Sequence, residues 1–304
     1  MRKLALSDEI LLKVDKAARY IGGEVNSVMK DKNEVEIRFA MCFPDVYEIG
    51  MSNLGMMILY NMFNQREDVW CERLFSPWPD LDKVMREQNI PLFALESQEP
   101  IRDFDFLGIT LGYEMCYTNI LQVLDLSGIP LKSADRGEDF PIVIGGGACA
   151  YNPEPLAPFF DLFYIGEGET VYDALFDAYK ANKKAGGSRR DFLLAAAKIP
   201  GIYVPSLYEV TYKEDGTIAS FAPTEAGVPE KVQKQLIIDM EKEYRAVEAP
   251  VVPHIKATQD RVTLEIQRGC IRGCRFCQAG MIYRPTRERD VETLKESARV
   301  MLKN

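Results

Sequence analysis

The run Pro141-Ile142-Val143-Ile144-Gly145-Gly146-Gly147 limits what this chain can fold into more than any other stretch. Three β-branched residues stiffen the backbone towards an extended strand. The glycines behind them end that strand in a loop that a flat ligand can approach closely. The same form, an apolar strand, a glycine-bearing stop and a helical period, recurs along the first two thirds of the sequence. EVEIRFAMCFP (34–44) runs into the turn-rich Asp45–Gly55 and a helix over Met56–Phe63. DFDFLGITLG (103–112) precedes a helix over Cys116–Leu126, and DLFYIGEGE (161–169) precedes an amphipathic helix over Thr170–Asn182. Between them, VWCERLF predicts a strand, followed by a helix over Asp80–Gln88 and another strand at Pro91–Leu95. Strands alternating with helices at this spacing predict an α/β fold built of βαβ units, hence a Rossmann-like parallel sheet. Ligands of such open sheets sit at the carboxyl edge of the strands.

The flanking segments read differently. Residues 1–30 predict an amphipathic N-terminal helix with a turn at Gly22-Gly23, which leaves 31–198 for the sheet domain. Lys183–Arg190 is a polar connector, and Ile202–Ala222 predicts a β-hairpin turning at Asp215-Gly216. Residues 223–258 hold no sustained period, so 199–258 is expected to be hairpin, linker and docking segment. RVTLEIQ (261–267) predicts a new strand and Asp290–Leu302 a helix, the start of a further domain over 259–304.

Length and composition exclude several classes of function. The 304 residues correspond to about two domains at roughly 150 residues each. With 47% hydrophobic and 27% charged residues the chain is globular rather than disordered. A net charge of -9 gives no support to nucleic-acid binding. No apolar run approaches the ~18 residues of a membrane span, and the charged N-terminus lacks the core of a signal peptide, so a cytoplasmic protein is expected. His254 is the single histidine, which nearly excludes Ser-His-Asp, Cys-His and multi-histidine metal chemistry.

Cysteine usage is more specific. Of seven cysteines, Cys42, Cys71, Cys116 and Cys149 read as small buried hydrophobes, while Cys270, Cys274 and Cys277 crowd one loop with the spacing C-x3-C-x2-C. Three thiolates on a short loop can hold three irons of a [4Fe–4S] cube and leave the fourth open. An open metal position marks a catalytic centre, because a substrate can occupy it. Gly269 and Gly273 let the backbone wrap the cube. Two other classes compete: an Fe–S scaffold or electron-transfer component working with a partner chain, and a zinc-stabilised binding module. Zinc would need His254 as fourth ligand, sixteen positions before Cys270 (270 − 254 = 16).

The segment GCIRGCRFCQAG, following a strand and with Phe276 before the last cysteine, resembles the cluster loop of the radical S-adenosylmethionine (SAM) enzymes. The resemblance implies that Cys270, Cys274 and Cys277 ligate a [4Fe–4S] cluster. SAM then occupies the open iron, and reductive cleavage gives a 5′-deoxyadenosyl radical that abstracts hydrogen from a substrate. It places Phe276 near the adenine and assigns no catalytic side chain. It also implies a (β/α) barrel of about 200 residues, whereas 27 residues follow Cys277 (304 − 277 = 27). The rest of the barrel is therefore expected on a longer or separate chain. This chain alone should be inactive, and the exposed flank of its 261–267 strand should make it associate.

The pieces at 41–55, 105–111, 142–156 and 161–169 resemble the cobalamin-binding-like domain that precedes the barrel in many such proteins. On that likeness Gly145, Gly146, Gly147, Gly166, Glu167 and Gly168 line a cofactor site, with free amides at the helix start after Glu169. One departure concerns the D-x-H-x-x-G motif whose histidine ligates cobalt. Here Asp45-Val46-Tyr47-Glu48-Ile49-Gly50 carries tyrosine at that place. A His-off cobalamin mode and a Rossmann-like domain that merely shapes a substrate channel both remain open. Together with IPGIYVPSLYEV (199–210) and IYRPTRERD (282–290), the layout resembles one branch of the superfamily for which no substrate carries over. Arg284, Arg287 and Arg289 read either as clamps for a carboxylate or as solvated charges at a helix start.

Overall fold

The computed structural model describes residues 4–244 and 246–303. Only four residues of the expected N-terminal helix are α-helical, α1 (Asp8–Leu11), with a 3-10 turn at Ala17–Arg19, and the first three residues of that expectation lie outside the described ones. Tertiary contacts override the helical period here. Leu6, Ile10, Val14 and Tyr20 are buried, while Arg19 turns inwards to pair with Glu48 at 2.9 Å.

The sheet domain then follows in chain order. Strand β1 (Ile37–Phe43) leads through the short α2 (Tyr47–Gly50) and α3 (Leu54–Asn64) to β2 (Val69–Phe75). Helix α4 (Pro79–Gln88) leads to β3 (Phe106–Thr110), α5 (Tyr117–Leu126) to β4 (Ile142–Gly146), and a 3-10 stretch to β5 (Leu162–Tyr164). Helices α6 (Tyr172–Lys184) and α7 (Arg189–Ala196) precede the two-residue β6 (Ile202–Tyr203). The strand order is β2-β1-β3-β4-β5-β6, parallel except for β6, which pairs antiparallel with β5. This is the doubly wound order 2-1-3-4-5 with an added edge strand, and its switch point lies between β1 and β3.

Helices on both faces explain why every residue of β1 and of β2 is buried. Alternate residues of β1 serve opposite cores. Ile37, Phe39, Met41 and Phe43 meet α3, α6 and α7, whereas Ala40 and Cys42 join Leu81, Met85, Ile120 and Val123 on the side of α4 and α5. The first core is aromatic: Phe39 and Phe63 lie edge to face at 5.0 Å, and Phe63 and Phe176 at 5.0 Å. Local signals set the helix starts. Asn53 caps α3 by accepting Met56 N–H at 2.9 Å, Pro79 opens α4, and Ser188 with Asp191 forms a capping box on α7. The connector expected over Lys183–Arg190 thus runs into a helix at both ends.

Three further expectations change. Residues 91–95 are not a strand: they form a mostly buried loop with a single isolated antiparallel bridge, Phe93 to Pro100, and other amides go elsewhere, Leu92 N–H to Leu126 O at 2.9 Å and Leu95 N–H to Arg73 O at 2.9 Å. Ile202 and Tyr203 leave the expected hairpin for the main sheet, and the hairpin proper is β7 (Tyr208–Tyr212) with β8 (Ile218–Pro223), closed where Asp215 accepts Thr217 N–H at 2.9 Å. Residues 261–266 form no ladder among the described residues. Only β9 (Gln267–Arg268) is extended and paired, antiparallel to β10 (Arg287–Glu288). Helices α8 (Ala279–Ile282) and α9 (Val291–Met301) complete the described chain, α9 lying where a helix over Asp290–Leu302 was expected, with Asp290 as its cap. The segment from 224 to 266 packs back on the sheet domain through the buried Val228, Ile237, Val247 and Val251.

Candidate functional site

A cavity of about 520 Å³ opens at the carboxyl ends of β1, β3, β4 and β5, at the switch point, and lies within the size range of small-molecule sites. Met41, Ile109 and Ile144 form part of its apolar wall, Leu54, Ile58 and Leu59 of α3 another, and Thr110 and Tyr172 also line it. Its far wall comes from beyond the sheet domain: Glu265, Gln267, Arg268 and Gly269, the residues that lead into the cysteine loop, and Tyr283, which closes that loop.

Gly146, Gly147, Gly166, Glu167 and Gly168 all line this cavity, as the sequence suggested. Gly145 does not. It faces the other side of β4, where a Cβ would stand 2.7 Å from the Phe163 ring, so its missing side chain serves packing. Gly147 has φ +109° and a Cβ there would sit 2.9 Å from Leu111 O, so the turn off β4 requires glycine. Gly166 (φ +146°) receives a neighbouring segment: a Cβ would stand 2.4 Å from Gln235 O, which accepts Glu167 N–H at 3.0 Å.

Glu167 is not free to meet a ligand. Its buried carboxylate binds Arg287 at 2.7 and 2.8 Å and accepts Ile237 N–H at 2.9 Å. Burial works to raise this carboxyl, and Arg287, the Ile237 amide and Arg268 outweigh it and hold it below the ordinary range. Arg287 and Arg289, expected to clamp a ligand or face solvent, do neither. Arg289 is buried 4.3 Å from the Tyr244 ring centroid and donates to Ser297 Oγ at 3.1 Å. Arg284 spans the cysteine loop, donating to Arg272 O at 2.8 Å.

Tyr47, the counterpart of a cobalt-ligating histidine, faces away from the cavity. Its hydroxyl donates to the buried Glu24 at 2.9 Å and accepts His254 N–H at 3.2 Å. The His254 ring in turn lies 3.1 Å from Gly22 O, and among the described residues it is not gathered with the cysteines into a metal site.

Cys270 and Cys277 are half-buried, Cys274 is exposed, and none is in a disulfide. Backbone amides already address two of the sulfurs, Arg272 N–H to Cys270 Sγ and Gly280 N–H to Cys277 Sγ, both at 3.4 Å. Hydrogen bonds to sulfur are one of the levers by which proteins tune iron–sulfur clusters, so the donor set fits such a group. Among the described residues no three His, Cys, Asp or Glu side chains are gathered into a preformed metal site. The other four cysteines are buried, and burial pushes each of their thiols up, which disfavours the thiolate. Phe276 stands 92% exposed beside Cys277, with Ile271 and Met281 exposed nearby.

Residues 55–205, from α3 to just past β6, match the family model described as radical SAM proteins, N-terminal. The chain is a radical SAM superfamily protein. The match stops before the cysteine loop, so that loop and the domain are two separate pointers to one family. An uncharacterized protein of Methanocaldococcus jannaschii is 27% identical over 256 residues, which are 84% of this chain and 44% of that protein. The chain therefore spans less than half the length of this relative. Two solved structures of the radical SAM methyltransferase TsrM from Kitasatospora setae are similar to it. One holds tryptophan and a SAM analogue (TM-score 0.42, 15% identity, 86% of this chain and 44% of that one), the other cobalamin and a [4Fe–4S] cluster (0.43, 14%, 87% and 45%). Likeness at that level carries no argument about ligands. No described helix is long and apolar enough to cross a membrane.

Sequence reasoning missed Tyr172 and Thr110 as cavity residues. It also missed that both glutamates of GEGE turn towards arginines rather than a ligand. The only signal for the latter was the charge complement between GEGE and the arginines at 268 and 287.

Proposed function

We propose that this chain carries the cluster-binding loop and the ligand-binding N-terminal domain of a radical SAM enzyme. The observation that carries the reading is the joining of three free thiols at C-x3-C-x2-C to a radical SAM N-terminal domain whose cavity reaches the residue before the first cysteine. Cys270, Cys274 and Cys277 would hold a [4Fe–4S] cluster. Such a cluster supplies reductive cleavage of SAM to a 5′-deoxyadenosyl radical that takes hydrogen from substrate. The chain's own residues do the rest. The Arg272 and Gly280 amides steady two of the sulfurs, and exposed Phe276 offers a ring face to the adenine. The remaining strands of a barrel, on a longer or separate chain, would cover Ile271, Phe276 and Met281.

Were cobalamin to bind, Gly146, Gly147, Gly168 and Thr110 would form its wall, and Tyr47, turned towards Glu24, would give its metal no ligand. That would be a His-off mode, and radical methylation would then be the natural reaction.

The test is product analysis of the protein at its full natural length, loaded with iron and sulfide and reduced with dithionite in the presence of SAM. We expect 5′-deoxyadenosine and methionine in equal amounts. A four-iron protein that makes neither belongs to the electron-transfer or scaffold class.

A further inference from the structure

The GEGE turn carries two carboxylates, Glu167, which the sequence suggested for a cofactor site, and Glu169, and the structure gives both another task. The cysteine loop, residues 269–286, is closed at its base by the β9–β10 ladder, in which Arg268 stands opposite Arg287. Two like charges directly opposite in an antiparallel pair repel. Both side chains are nearly buried, so water does little to screen them. What holds them together comes from the other domain. Glu167 binds Arg287 at 2.7 and 2.8 Å and lies 3.3 Å from Arg268, and Glu169 takes Arg268 at 2.6 and 3.3 Å. Glu265 completes the cage with bonds to Arg268 at 2.9 and 3.1 Å, and Tyr244 lies between Arg268 and Arg289.

We infer that Glu167 and Glu169 are positioning residues for the cysteine loop: the cavity domain sets the loop's geometry through an arginine at each of its ends. The inference rests on the proposed function for what the loop holds, and on the geometry above for the clamp itself. Arg268 and Gly269 also line the cavity, so the clamp forms part of the wall that a cavity ligand would touch. Cavity and cysteine loop are thereby tied by charge-assisted hydrogen bonds, which are the strong ones and fix direction as well as distance.

Glu169→Gln tests this, because it keeps the shape of the side chain and removes its charge. In hydrogen exchange of the unloaded chain, amides of 267–288 should exchange at least tenfold faster than in the parent, while those of β1–β5 stay unchanged. After loading with iron and sulfide, the g-values of the reduced protein should differ from the parent's. The exposed control Glu214→Gln should change neither readout. Unchanged exchange over 267–288 overturns the clamp, and so does acceleration spread evenly over the sheet. If Glu169→Gln loses its fold by circular dichroism, Glu169→Asp replaces it. That variant keeps the charge on a shorter arm, and the same loop-confined result is expected, with the same contrary results. A loop-confined change in a protein that never takes four irons would sustain the clamp and sink the functional reading, so the two failures are distinguishable.

Discussion

Arg73→Met should lower stability by about 3–5 kcal/mol in urea unfolding, the cost of removing one member of a fully buried charge network. Arg73 is completely enclosed. Its guanidinium meets Glu24 at 2.7 and 3.2 Å and Glu96 at 2.6 Å, and both carboxylates are equally buried. Tyr47 and Tyr60 donate to the same two carboxylates at 2.9 and 3.0 Å. Methionine fills the volume but takes the cation from between two anions. Arg73 is what holds the Glu24 carboxyl below the ordinary range against burial, so in the variant burial should raise it above its unfolded value. The sign follows from linkage: a raised folded pKa contributes stability at low pH that is lost as pH rises. The penalty should therefore be larger at pH 8 than at pH 5. Against a total of about 5–15 kcal/mol this is a large fraction. A loss under about 1 kcal/mol at pH 8 would show that the network is dispensable. The network lies where the N-terminal segment, β2 and the loop after β1 meet, so the same variant should also loosen Tyr47 and the His254 segment.

The second large effect is all or none. Cys270→Ala, Cys274→Ala and Cys277→Ala should each cut iron uptake from about four per chain to a small residue, since two thiolates cannot hold three corners of a cube. Cys116→Ala and Cys149→Ala should leave iron unchanged. Those thiols are buried in the sheet domain with the thiolate disfavoured, and the thiolate is the metal ligand. Iron retained by Cys274→Ala, or lost from Cys149→Ala, would place the cluster elsewhere.

What the sequence disclosed follows from the range of the forces involved. The parallel sheet was legible because apolar strand runs and helical periods are local, and β3, β4 and β5 each run into a glycine stop as well. Strand β6 was not: two residues cannot show a period, and their pairing with β5 is settled by tertiary contact. The N-terminal helix failed for a related reason. The period of Leu6, Ile10 and Val14 is real and all three are buried, but Arg19 turns inwards to the buried Glu48 instead of continuing a helical face. Residues 91–95 have strand composition, but beyond one isolated bridge the amides of Leu92 and Leu95 are drawn to Leu126 and Arg73. Helix α7 could have been found from its capping box, Ser188 with Asp191.

The site divides in the same way. Cysteine spacing and glycine stops are local signals: Gly146, Gly147, Gly166, Glu167 and Gly168, which they suggested, line the cavity, and Gly145 does not, because which face a strand glycine presents depends on register. The partners of Glu167, Glu169, Arg268 and Arg287 lie about a hundred residues apart in sequence. No local pattern states such a pairing. It follows from the fold that brings β5 against the base of the cysteine loop.

The most direct measurement is an electron paramagnetic resonance spectrum of the iron-loaded, dithionite-reduced protein, recorded with and without SAM beside an iron count. The account predicts about four irons per chain and a reduced-cluster signal whose g-values move when SAM is added, because an open iron is available to it. Four irons with a signal indifferent to SAM, or zinc in place of iron, would contradict it.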